Sequence, residues 1–279
     1  MKDRSMTAFR ALLLTSAIVS TLAGCNRREA EPAPAPLPAA EAPAEITPAD
    51  AAAPMGFALT TEYAEVKLTL PEAIKPQTDL HARLYAEEVR RLRQFTEGAQ
   101  ADRSEAGDDS SIGLYQKTIT LTAAAETGKL VSLKREAMDY SGGAHPNTQT
   151  TGVLWDKALK QMISPSGLFR PGADLSTLDQ ALCAAINAAK QARVPGSAVV
   201  ALNGRDWSCP RVAATPFVLA PGTVDGKAGG LTFLIGPYLV GPYSEGHYEV
   251  TLPLSKFRSV LAGAYADEFA GQPVAAPTN

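Results

Sequence analysis

Two hydrophobic periods alternate along the chain between residues 63 and 252. The run Tyr63-Ala64-Glu65-Val66-Lys67-Leu68-Thr69-Leu70 sets its apolar side chains on one face, which predicts a half-buried strand stopped by Pro71. From Gln77 to Gly98 the period lengthens. Leu80, Leu84, Val89, Leu92 and Phe95 recur near the helical repeat, with Arg90, Arg91 and Arg93 largely opposite them, so an amphipathic helix with a solvated basic face is expected. Leu114 to Ala124 returns to alternation, with Thr118, Thr120 and Thr122 set against Ile119 and Leu121, and Lys129 to Tyr140 follows it as a second run. They read as a hairpin around Thr127-Gly128, followed by a third strand through Val153-Leu154-Trp155.

Asp174 to Arg193 carries a second helical stripe, Leu175, Leu178, Leu182, Ile186 and Ala189, with Cys183 on its flank; Pro195-Gly196 ends it. Strands near Phe217-Val218-Leu219, Gly230 to Ile235 and His247 to Leu252 are expected to complete a mixed sheet, and Ser255 to Phe269 to close the chain as a helix. The pattern gives an α+β fold: an antiparallel-rich mixed sheet with packed helices in one domain, residues 57–279. Two lobes divide it, about 57–140 and 141–270. No internal repeat of solenoid length is present.

The N-terminus has a different pattern. Lys2, Arg4 and Arg10 precede an apolar run from Ala11 to Ala23, and Leu22-Ala23-Gly24-Cys25 closes it as in bacterial lipoprotein signals. Residues 1–24 are read as a cleaved signal, shorter than the ~20 apolar residues a spanning helix needs. The resemblance to such signals implies acyl chains on Cys25, a stable membrane anchor. Residues 25–56, rich in Ala, Pro and Glu, cannot bury a core and favour extended polyproline II, a tether. The expected location is the cell envelope facing the periplasm, with Asn26 after the cysteine pointing to the outer membrane.

Composition narrows the partners. A formal net charge of −3 with 20% charged residues argues against nucleic acid. Of three cysteines, Cys183 and Cys209 remain once Cys25 carries lipid, and an oxidising compartment pairs them as a disulfide.

Candidate chemistry is sparse. The chain lacks G-x-S-x-G, S-x-x-K, H-E-x-x-H and Walker motifs, and its three histidines, His81, His145 and His247, have no short-range metal spacing. No catalytic residue, metal or cofactor is assigned on these grounds. His145 and His247, with Asp139, Glu245 and Glu249, form the one constellation that could serve acid–base or metal chemistry. A simpler role is structural, with His145 fixing the turn and His247 at a strand start. Two Gly-Pro-Tyr units, Gly236-Pro237-Tyr238 and Gly241-Pro242-Tyr243, offer tyrosines on a stiff loop. Such rings either cover a sugar or apolar patch or plug the core where the chain turns.

Tyr140-Ser141-Gly142-Gly143-Ala144-His145-Pro146-Asn147, then Gly230 to Tyr238, then Gly241-Pro242-Tyr243-Ser244-Glu245-Gly246-His247-Tyr248-Glu249-Val250 with Leu252-Pro253, occur in an order that resembles the RsiV-type extracytoplasmic domain. The likeness spans about Phe57 to Leu261. That family includes the outer domain of a lysozyme-binding anti-sigma factor and the accessory domain of PdaC-type peptidoglycan deacetylases. It implies an α+β fold with helices on an antiparallel-rich sheet. The chain departs from the anti-sigma members in having a lipoprotein-like start and no sigma-binding segment.

The resemblance implies a lipid-anchored binding module for a peptidoglycan fragment or a lysozyme-type muramidase, through Tyr140, Gly142, Gly143, His145, Asn147, Tyr238, Tyr243 and His247. Two alternatives stand beside it: a hydrolase or deacetylase of cell-wall sugars, and an assembly lipoprotein with an envelope protein as partner. The anchor is tested directly. Cys25→Ser is expected to abolish incorporation of labelled palmitate in cells and to move the protein from the membrane to the soluble fraction.

Overall fold

Ala64, Val66 and Leu68 point inward and Glu65, Lys67 and Thr69 outward along β2 (Ala64–Thr69), the strict alternation that its sequence predicts. The computed structural model describes residues 54–107 and 113–274. The expected signal, Cys25 and most of the Ala/Pro tether therefore lie outside the described residues. A strand that the sequence did not signal, β1 (Gly56–Thr60), pairs antiparallel with β2 at the sheet edge. Next comes α1 (Thr78–Ala106), 29 residues long, which continues past the expected end at Gly98.

The helix returns the chain to β3 (Tyr115–Glu126), parallel to β2. The hairpin to β4 (Leu130–Tyr140) forms as expected. Thr127 closes it, its N–H donating to the Leu130 carbonyl at 2.8 Å while its Oγ1 accepts from the Leu130 N–H at 3.1 Å. β5 (Asn147–Asp156) and the short β6 (Gln161–Met162) finish a six-stranded sheet in the order β1 to β6. The sheet is antiparallel except for the β2–β3 pair. Val153-Leu154-Trp155 is only the buried end of β5. The outer end, Asn147 to Gly152, has no hydrophobic alternation to announce it.

The last three strands do not join this sheet. β7 (Phe217–Pro221), β8 (Ala228–Ile235) and β9 (Tyr248–Pro253) make an antiparallel sheet of their own, a correction to the single mixed sheet expected. β7 lies against β3, β4 and β5, and α2 (Ser176–Arg193) packs on β9.

The six-stranded sheet is thus covered on both faces, and β4 shows it. Val131 and Leu133 join a core with Leu80, Leu84 and Leu92 of α1, whereas Leu130 joins a second core with Leu182, Ile186, Phe217, Phe233 and Tyr248. These cores are the two lobes. The first sheet continues past Tyr140 to Met162, and its β5 contributes Leu154 to the second core and Trp155 to the first. Cys183 and Cys209 form the expected disulfide, Cα atoms 5.3 Å apart, at the edge of the second core.

The closing segment is the second correction. Ser255 to Phe269 is not an α-helix but part of a run of short 3₁₀ turns, Leu254–Lys256, Arg258–Val260 and Gly263–Glu268. Leu254, Phe257, Leu261, Tyr265 and Phe269 have helical spacing and all are buried. The backbone, however, is drawn out at Leu261 and Ala262, whose ψ values are 143° and 135°. Outside partners hold it there: Arg170 N–H donates to the Val260 carbonyl at 2.8 Å, and Ala262 N–H to the Leu168 carbonyl at 3.0 Å. Those bonds replace the i to i−4 ladder.

Buried polar contacts and one close approach help to fasten the halves. The Leu219 N–H donates to buried Ser132 Oγ at 3.0 Å. The buried Glu268 carboxylate accepts from Thr127 Oγ1 at 2.6 Å and from the Lys129 N–H at 2.7 Å. Burial pushes the Glu268 carboxyl up, but the Thr127 and Lys129 hydrogen bonds together with the Lys227 and Lys129 charges outweigh it and hold the group below its ordinary value. At Gly152 a Cβ would fall 1.8 Å from the Phe217 carbonyl oxygen, so only glycine lets β7 cross β5 this closely. Gly152→Ala is expected to cost about 3 kcal/mol, the upper range for overpacking. Urea unfolding measures it, and a loss under about 0.5 kcal/mol would mean that β7 can move aside.

Candidate functional site

Lys190 sits in the last turn of α2 with its side chain 2% exposed. A buried ammonium is costly unless its donors are used. Here Nζ donates to the Val240 carbonyl and to Glu245 Oε2, both at 2.6 Å. The Tyr248 hydroxyl donates to the same Oε2 at 2.7 Å. Arg193, one helical turn on, lies 4.0 Å over the Tyr248 ring and donates to the Glu245 and His247 carbonyls at 2.8 and 2.5 Å. Both cations occupy the C-terminal turn of α2, where the helix dipole favours positive charge. The segment between β8 and β9, residues 236–247, is stapled to α2 by this network.

Local sequence stiffens the same segment. Pro237 and Pro242 restrict the backbone, and a Cβ at Gly241 would meet the Glu245 carboxyl at 2.6 Å. Tyr238 adopts φ 64°, left-handed backbone that a residue with a side chain rarely takes. Its ring is not in the core. Tyr238 is 55% exposed and Leu239 beside it 48%, so Tyr238 does not plug the turn, while Tyr243 is half-buried.

The turn between β4 and β5 meets this loop. Gly142 and Gly143 have φ of 99° and 100°, open to glycine, and Tyr140 Oη donates to the Gly143 carbonyl at 3.0 Å. His145 Nδ1 lies 3.0 Å from the Pro146 carbonyl. The Tyr243 hydroxyl donates to that same carbonyl at 3.2 Å, across the gap between the two sheets' loops. The His145 and Tyr243 rings then stack, centroids 3.9 Å apart and planes 15° from parallel. Tyr238 lies next to Tyr243 at 5.4 Å and 37°. Three rings, His145, Tyr243 and Tyr238, thus form one row.

The structure gathers Tyr140, Gly142, Gly143, His145, Tyr238 and Tyr243 in this feature. Asn147 adjoins it as the exposed first residue of β5. His247 is exposed, and it enters the network through its backbone carbonyl rather than its ring. His81 is elsewhere, buried in α1 with Nε2 3.1 Å from the Pro54 carbonyl. The carboxylates named with His145 and His247 are dispersed. Asp139 is 3.9 Å from Lys117, Glu249 bonds Lys134 at 2.9 Å, and Glu245 is committed to Lys190. Among the described residues, no group of three or more metal-ligating side chains is assembled. Lys190 and Arg193 were not legible as site residues; basic residues ending a helix are too common a signal.

Among solved structures, the chain is similar to a member of the DUF3298 family from Bacteroides fragilis, at 17% identity and TM-score 0.48, covering 74% of this chain and 88% of that one. It is also similar to a DUF3298 family protein from Pseudomonas aeruginosa, at 15% identity and TM-score 0.46, covering 80% of this chain and 100% of that one. No family model matches the chain, and neither does any curated protein.

The staple should be visible in stability. Lys190→Ala leaves the Val240 carbonyl without its donor and the Glu245 carboxylate with the Tyr248 hydroxyl alone, and a loss of about 3 kcal/mol is expected for breaking one side of a buried pair. Hydrogen bonds from Lys190, then Tyr248, hold the Glu245 carboxyl below its ordinary range. A lowered carboxyl pKa stabilises the fold fully above the ordinary value of about 4.3 and loses that contribution as pH falls through the lowered one. Chemical denaturation between pH 6 and 2 should show this acid-side loss in the parent and a smaller one in Glu245→Gln.

Proposed function

We propose that the chain is a lipid-anchored binding module of the cell envelope whose His145–Tyr243–Tyr238 row recognises a cell-wall-related ligand, a peptidoglycan fragment or a lysozyme-type muramidase. The observation that carries this reading is the exposed Tyr238 ring, in left-handed backbone beside a His145–Tyr243 stack. Strained backbone and exposed aromatics are costly without a use, and both are features of recognition surfaces. The loop is also ordered before any ligand arrives. Lys190, Glu245 and the two prolines limit its freedom, which lowers the entropy lost on binding.

Cell-wall sugars suit such a surface because apolar sugar faces lie flat on aromatic rings while hydroxyls hydrogen-bond to tyrosine. A muramidase would use the same rings as an apolar anchor. The resemblance to the RsiV-type domain supports both ligands, and the lipoprotein-like start and tether support display from a membrane.

Calorimetric titration of the Cys25→Ser chain with lysozyme, and separately with muropeptides, tests the proposal. One of the two is expected to bind. Tyr243→Ala and Tyr238→Ala should then weaken binding about tenfold, the order of a stacked aromatic contact, while His247→Ala leaves it unchanged. Silence with both ligands at high micromolar concentration would remove the proposal.

A further inference from the structure

β5 has an open edge. It pairs with β4 along its whole length but with β6 only at Trp155 and Asp156, extended by the Ile163 N–H donating to the Leu154 carbonyl at 2.8 Å. In an antiparallel strand alternate residues turn their N–H and C=O to opposite sides. The Lys157 N–H donates to the Lys129 carbonyl on the β4 side, so odd residues serve β4, and Thr148, Thr150 and Gly152 face outward with Leu154. Among the described residues no hydrogen bond occupies those three outward positions. Asn147-Thr148-Gln149-Thr150-Thr151-Gly152-Val153 also lacks the charge or proline that usually protects an edge.

Beneath this edge, on the face that α1 covers, the packing parts into two hollows of about 360 and 450 Å³ that share Arg91, Arg135 and Gln149. A sheet face under a helix is normally apolar. Here Arg135 forms a bidentate pair with Glu88, at 2.7 and 2.8 Å, although the Glu88 side chain is only 3% exposed. The pair uses Nε and Nη2 of Arg135. Its Nη1 has no acceptor among the described residues, and the half-exposed Arg91 comes no closer than 3.7 Å to the same Glu88 carboxylate. In the larger hollow Lys117 adds a third cation, 3.9 Å from Asp139. Glu87 and Glu88 line only the smaller one, and the one carboxylate in the wall of the larger is Asp139, the neighbour of Lys117.

We infer that the β5 edge takes up an extended segment of a partner protein as a further strand, with an Asp or Glu side chain of that segment turned into the larger hollow against Arg91 and Arg135. Main-chain bonds to Thr148, Thr150 and Gly152 supply affinity, and alternate side chains beside Gln149 and Thr151 enter the groove and supply selectivity. Fixed guanidinium donors suit a carboxylate. A second copy of β5 is a poor occupant, because residues 147–153 carry no acid to meet those cations. This inference is independent of the tyrosine row.

The test pans a phage-displayed library of linear decapeptides against the Cys25→Ser chain. Enriched peptides are expected to hold an Asp or Glu among strand-forming residues. Their affinity should fall at least tenfold in Arg91→Glu and in Thr150→Pro, which removes one outward N–H, and stay unchanged in Tyr238→Ala. Added peptide should slow amide exchange at Thr148, Thr150 and Gly152, a readout that holds even if Thr150→Pro fails to fold. No enrichment, peptides that bind Arg91→Glu equally well, or protection at other amides would each overturn the inference. So would self-association of the peptide-free chain through β5.

Discussion

The crossing of β7 over β5 is the constraint on which the rest of the molecule depends. Because Gly152 has no side chain, the Phe217 carbonyl can sit where a Cβ would be, and the second sheet lies directly on the first. Leu219 can then reach Ser132, which satisfies one backbone donor at a place where water is excluded. The close approach also decides the burial of β4, whose even positions face the second sheet and odd positions face α1. A six-stranded sheet with one bare face would expose an apolar surface; the crossing covers it. The meeting of the two loops that carry His145 and Tyr243 follows, since each loop continues a strand of one of the two stacked sheets.

Legibility in the sequence tracks whether a structural cause is local. β2 and the middle of β3 have alternation, and the Thr127-Gly128 turn ends where its hydrogen bonds close, so periodicity and turn chemistry together locate β2, β3 and β4. The outer half of β5 is Asn, Thr, Gln and Gly; its strand state comes from pairing with β4, a partner only the fold supplies. The C-terminal run shows the opposite failure. Leu254, Phe257, Leu261, Tyr265 and Phe269 have helical spacing, yet Leu168 and Arg170 compete successfully for the backbone. Hydrophobic spacing reports which side chains are buried and is silent about which backbone partners win. Separate sheets rather than one mixed sheet were equally out of reach, because strand periodicity does not name the neighbouring strand.

The candidate site divides along the same line. Gly-Gly-x-His-Pro-Asn and the paired Gly-Pro-Tyr units marked two segments that the fold brings together, since glycine and proline carry local backbone meaning. The stacking of His145 on Tyr243 and the exposure of Tyr238 are tertiary facts. His247, grouped with His145 on sequence, contributes a carbonyl to Arg193 instead of a ring.

Two buried ion pairs, Lys190–Glu245 and Arg135–Glu88, stand where apolar residues would pack at lower desolvation cost. Each lies beside a surface with unsatisfied potential: the first under the tyrosine loop, the second under the β5 edge. The pairs differ in what they leave free. Lys190 spends its charge inward on Val240 and Glu245, with Tyr248 completing the carboxylate, so its effect is to hold a loop in place. Arg135 gives two donors to Glu88 and retains Nη1, so the same kind of pair also presents a fixed donor. A hydrophobic replacement at Lys190 could keep the loop only if it also satisfied the Val240 carbonyl, which no apolar side chain does. At Arg135 an apolar pair could fill the floor equally well and would erase the donor. Stability alone therefore accounts for Lys190 more completely than for Arg135, and the difference directs attention to the β5 groove as a second surface with a role of its own.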